Sequence, residues 1–137
     1  MSAFLSELEV VPYPNTAHPD GVNWRLLQDL VYQSDLLKGQ VVVPAGFLTD
    51  FASTPRVLWN SIPPWGVYGP ATVIHDWLYW TQPCTREQAD GVLLEGMRIL
   101  GTNFVVEQEI YDGVRAGGQI PWERDGANMR AGKAHIS

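Results

Sequence analysis

Over roughly the first fifty positions the apolar residues come in short, broken clusters, and after about residue 70 they come in helix-length runs. The stretch "SELEVVPY" (Ser6 to Tyr13) partly alternates. "NWRLLQDLVYQS" (Asn23 to Ser34) carries bulky apolar residues without a clean helical period. "KGQVVVPAGFLTD" (Lys38 to Asp50) holds a β-branched run, Val41 to Val43, stopped by Pro44 and turned by Gly46. Such runs, punctuated by Pro and Gly, predict strands. "TAHPDG" (Thr16 to Gly21) reads as a loop.

The second half reads as helical. Thr54 before Pro55 is an N-cap and first-turn pairing, so a short helix is expected there. "IPPWGVYGP" is a rigid aromatic loop, and a helix is expected from Pro70 to about Trp80. Thr85 and Gln88 have capping-box spacing, with a helix continuing to Leu100 and closing at Gly101. "TNFVVEQEIYDGVRAGG" predicts one more helix, closed by two glycines. The last stretch, from Gln119 to Ser137, has no apolar period. The expectation is therefore a single α+β domain over residues 1–117, with an extended C-terminal docking tail over 118–137. Within the domain a small, mostly antiparallel N-terminal sheet packs on three to four C-terminal helices.

Composition narrows the functional classes. The net charge of −6 and the lack of a basic stripe argue against nucleic acid as a partner. The single cysteine, Cys84, excludes a disulfide framework and a cysteine-based zinc site. The acidic start lacks the pattern of a secretory signal, and no run approaches the ~20 apolar residues of a transmembrane helix. Six Trp beside only 18% charged residues are many for 137 residues. Since Trp is enriched at interfaces, Trp65 and Trp122 are candidate partner-binding residues.

The candidate chemistry lies in "GPATVIHDWLYW" (Gly69 to Trp80), where His75 precedes Asp76 in an apolar run. On a helix, His75 and Tyr79 stack one turn apart, while Asp76 sits about 100° round from His75. The two side chains therefore diverge, which suits a division of labour. His75 is the candidate base for a water proton. Asp76 is a candidate ligand for a hard cation such as Ca²⁺. A histidine base needs an acceptor on its other nitrogen, and Asp90, in the first turns of the next helix, is the candidate. The alternative is structural: a core histidine bonded to a backbone carbonyl, with Asp76 capping or pairing with Arg86. A second cluster, "PAGFLTDFASTPR" (Pro44 to Arg56), is dense in turn-forming and capping residues. Asp50, Ser53 and Arg56 read there as a structural motif, with Asp50 pairing Arg56. The functional alternative makes Asp50 a third carboxylate near His75.

"VPAGFLTDFASTPR", followed by "PPWGVYGPATVIHDWLYW" and "TREQAD", resembles a domain-of-unknown-function family carried by tailed bacteriophages and prophages. The likeness covers about Val41 to Met97. It implies a phage or prophage origin, and the expected role is that of a tail- or baseplate-associated virion protein with other phage structural proteins as partners. Such a protein resides in the host cytoplasm during assembly and then in the virion. A more local resemblance is to the His-Asp-x-x-Tyr helix of phospholipases A2, matched by His75, Asp76 and Tyr79, with Asp90 in place of their later aspartate. It implies a calcium-dependent hydrolase with His75, Asp90 and Tyr79 at the catalytic site, Asp76 on the metal, and an ester or amide of the host envelope, lipid or peptidoglycan, as substrate. "WGVYGP" is only loosely like the family's glycine-rich calcium loop, and no disulfides brace the helices. The competing class is a non-catalytic adaptor of the particle, in which His75, Asp76 and Asp90 form a buried structural network.

Overall fold

The computed structural model of the chain describes residues 1–14, 22–49 and 67–133. The fold class is α+β, as the sequence predicts, although the strands form two small sheets rather than one. In the first, β1 (Ala3–Phe4), β4 (Leu30–Ser34) and β5 (Gly39–Val43) pair antiparallel in the order β1-β4-β5. In the second, β2 (Val10–Pro14), β3 (Val22–Leu26) and β6 (Leu48–Thr49) pair antiparallel in the order β2-β3-β6.

Strand β4 shows why this half is extended. Leu30, Tyr32 and Ser34 are buried, and Val31 and Gln33 between them are half-buried, which is the period-two pattern of a pleated strand. Its inner face is tied to the helices by one carboxylate. Glu95 Oε1 accepts from the Tyr32 hydroxyl at 2.7 Å and from Ser34 Oγ at 2.9 Å, and Oε2 accepts from the Leu36 amide at 3.1 Å. Burial, and then the bond to Glu95, push the Tyr32 phenol upward, so it remains a donor.

Four helices follow: α1 (Gly69–Thr81), α2 (Arg86–Ile99), α3 (Phe104–Gly117) and α4 (Gln119–Arg130). Helix α1 carries Pro70 in its first turn, close to the expected start, and stops at Gln82 in the left-handed conformation. It is the central element, packed on α2, α4 and the first sheet, and its residues from Ala71 to Asp76 are all buried. That all-round burial explains the near-continuous apolar run. Helix α2 opens on the expected capping box: Thr85 Oγ1 accepts from the Gln88 amide, and Gln88 Oε1 accepts from the Thr85 amide. Helix α3 starts from Asn103, whose side chain accepts from Val105 and Val106. No described helix is long and apolar enough to cross a membrane.

The conformation of the C-terminal stretch corrects one expectation. Residues 119–130 are not extended but form α4, packed on α1. The helix carries no apolar stripe, and its contacts with α1 among the described residues include an aromatic ring, a glycine and a bond to a backbone carbonyl. Trp122 meets Tyr79 edge-to-face at 5.1 Å, Gln82 Nε2 donates to the Trp122 carbonyl at 2.7 Å, and Gly126 lies against the Gln82 side chain. Periodicity does not report a contact built that way.

Candidate functional site

Helices α1 and α2 run antiparallel. Ala71 lies against Gly96, where a Cβ would stand only 3.0 Å from that of Ala71. Four residues further along α1, His75 meets Asp90 near the start of α2. His75 Nε2 and Asp90 Oδ1 are 2.7 Å apart, and the Tyr79 hydroxyl donates to the same oxygen at 2.7 Å. The expected turn over "TQPC" therefore brings His75, Tyr79 and Asp90 together, with the His75 and Tyr79 rings 4.3 Å apart.

The second oxygen of Asp90 is held by two cations. Arg115 Nη1, near the end of α3, donates to Oδ2 at 2.6 Å, and Arg86 Nη1, one turn before Asp90 on α2, does so at 3.4 Å. Arg86 also donates to the carbonyls of Val114 and Arg115, so it ties the end of α3 to the site. Gly118 completes this corner. A Cβ there would collide with the Tyr79 hydroxyl and the Val114 carbonyl, and would stand 2.7 Å from Arg86 Nη1.

These contacts fix protonation states. Asp90 is fully buried, and burial alone would raise its pKa. The bonds from His75, Tyr79 and Arg115 outweigh that and hold the carboxyl below the usual carboxylate range. The Tyr79 phenol is pushed the other way, first by burial and then by its bond to Asp90, so it stays protonated. An ionised carboxylate accepts only, so the imidazole of His75 donates to Asp90 through Nε2.

Asp76 points elsewhere, as the helical offset predicts. Its Oδ2 accepts from Thr49 Oγ1 at 2.8 Å, which ties α1 to β6 of the second sheet. His75 and Asp76 are 3% and 6% exposed. No group of three His, Cys, Asp or Glu side chains among the described residues is placed to hold a metal ion.

Asp50, Ser53, Arg56 and Trp65 lie outside the described residues. Trp122 is half-buried, with its ring engaged on Tyr79. Sequence reasoning missed three participants. The sequence offers Arg86 to Asp76 only as one structural alternative, whereas the structure gives it to Asp90, four residues along the same helix, a spacing that is a readable signal. Arg115 and Thr49 come from other elements and leave no local signal.

The stretch from residue 24 to residue 114 matches a family described as protein of unknown function (DUF1353), and the chain belongs to that family. No curated protein and no solved structure matches the chain.

Proposed function

We propose that the chain is a phage or prophage particle protein whose His75 acts as a general base in hydrolysis of an ester or amide of the host envelope. The observation that supports this most directly is the 2.7 Å contact between His75 Nε2 and Asp90 Oδ1. It orients the imidazole, selects the Nδ1 lone pair as the base, and places a buried negative charge beside the imidazolium that forms. Nδ1 takes a proton from water, and the hydroxide oxygen bonds to the carbonyl carbon. As the intermediate collapses, the bond to the leaving group breaks and the imidazolium returns the proton to it. Asp90 stays ionised throughout, and Tyr79 fixes its orientation. The shared contact of His75 and Tyr79 with Asp90 is in keeping with the His-Asp-x-x-Tyr similarity of this helix.

One observation favours a second reading. His75, Asp76 and Asp90 are all buried, and Asp90 is satisfied by four donors. The same network serves a non-catalytic particle adaptor as a scaffold. A phospholipid esterase assay with and without calcium, on wild type and His75→Ala, separates the two. Activity in wild type that is lost in a still-folded variant supports the base. Background activity in both, with lowered stability of the variant, supports the scaffold.

A further inference from the structure

Among the described residues, strand β5 lies at one edge of the first sheet. Which of its residues face outward follows from the bonds of β4. The Leu5 amide donates to the Val31 carbonyl, and the Val31 amide donates to Ser6 Oγ, both at 2.8 Å. Val31 therefore turns its backbone towards the β1 side. By alternation Leu30, Tyr32 and Ser34 turn theirs towards β5, where they pair with Val43, Val41 and Gly39. Gln40 and Val42 then direct their amides and carbonyls to the open edge. Among the described residues nothing bonds to those four groups.

An open cleft of about 720 Å³ runs beside this edge. One wall is Leu36 to Val42, every residue in turn. Side chains of a strand alternate between its faces, so a cleft lined by consecutive strand residues looks onto the backbone edge itself. The facing wall, with Trp77, Thr81, Pro83 and Cys84, comes from the end of α1 and the turn after it. Lys38 is the one charged residue among the described residues of the lining. None of His75, Tyr79 or Asp90 lines the cleft, so it stands apart from the site above.

We infer that this edge is a docking site for an extended peptide that adds as a strand to β5, carries apolar side chains at alternate positions, and places an acidic group beside Lys38. Strand addition gives the guest its main-chain bonds at Gln40 and Val42, and the alternate side chains give selectivity. Guest residues opposite Gly39, Val41 and Val43 share the face that these strand residues turn to the core, so they rest against Trp77 and Cys84. Those opposite Gln40 and Val42 face solvent. The site is short: Lys38, at a φ of 54°, turns the chain at one end, and Pro44 bounds the other. Natural edges are commonly blunted by charge or proline within the strand, and β5 has neither. The net charge of −6 opposes a second copy as the occupant, whereas a peptide with one acid complements Lys38.

The test is fluorescence anisotropy of the full chain with a labelled hexapeptide alternating valine and threonine and ending in aspartate. Saturable binding is expected. N-methylation of the peptide amides that face β5 should weaken binding about threefold to tenfold per bond, and methylation of the alternate amides should not. Val42→Pro should weaken binding with unchanged melting, because the amide it removes points away from β4. Lys38→Glu should weaken the aspartate peptide and not a neutral one. No binding by wild type, or equal binding by both methylated series, overturns the inference. So does a wild-type dimer in sedimentation that Val42→Pro dissociates, since the occupant would then be a second copy.

Discussion

Arg115 and His75 hold opposite oxygens of the same carboxylate. The guanidinium is 2.6 Å from Asp90 Oδ2 and the imidazole 2.7 Å from Oδ1. The two never touch, yet each fixes the plane in which the other must bond. A cation near the end of α3 thereby sets the angle of a ring on α1, with Asp90 as the rigid link.

Asp90→Ala should be the most damaging substitution in the helical half. It removes the acceptor that His75 Nε2, the Tyr79 hydroxyl and Arg115 share. Breaking a buried pair from one side costs about 3–5 kcal/mol. Urea unfolding of wild type and variant checks it; a loss below 1 kcal/mol would remove Asp90 from its central place.

The same carboxylate predicts the acid limb of stability. Its folded pKa is lowered, so the unfolded chain takes up the proton first as pH falls. The Asp90 contribution is therefore fully present above the unfolded value of about 3.9, and it is lost as pH falls through the folded value. The stability gap between wild type and Asp90→Asn should close as pH falls below about 4. Thermal melts across that range check it; a gap that widens in acid would contradict the assignment.

Arg115→Met should lower stability by about 1–3 kcal/mol through loss of a charge-assisted bond. It should also loosen His75. Nitrogen chemical shifts of the imidazole are expected to report the Nε2–H form in wild type and a mixture in the variant. An unchanged tautomer would mean that His75 and Tyr79 alone orient Asp90.

Gly118→Ala should destabilise the fold. The backbone there is near-helical, with φ of −79°, where alanine would ordinarily gain about 0.4–1 kcal/mol over glycine. The new methyl meets the Tyr79 hydroxyl and a backbone carbonyl that cannot step aside. Overpacking of that kind costs about 1–3 kcal/mol, so the sign reverses. A raised melting temperature would show that the corner has slack.

Truncation after Gly117 should lower the melting temperature, because it strips Trp122 from Tyr79 and the carbonyl partner from Gln82. A truncated chain that melts with wild type would show that residues 118–137 add nothing to the stability of the fold, as a docking tail would not.

The elements that carry their own signal were legible. The capping box at Thr85 and Gln88, the proline in the first turn of α1 and the β-branched run of β5 all report local physics. The meeting of His75, Tyr79 and Asp90 was legible too, because one short turn leaves the second helix little choice but to double back. Helix α4 was not, since it is held by a glycine, a ring edge and a backbone bond. Arg115 was not, because its partner is 25 positions away on another helix and nothing local marks it.

The three bonds accepted by Glu95 bear on how the chain finds its fold. They join residues 59, 61 and 63 positions apart, whereas His75 and Asp90 are separated by 15. Loop closure costs about 0.6 kcal/mol more for each doubling of length, so going from 15 to 61 adds about 1.2 kcal/mol. The helical half can close its own polar network from neighbouring contacts, while the first sheet must wait for a distant carboxylate to be presented. Glu95 thus marks the boundary between early and late folding: it sits on an element that forms locally, and it offers the acceptors on which the β4–β5 hairpin docks.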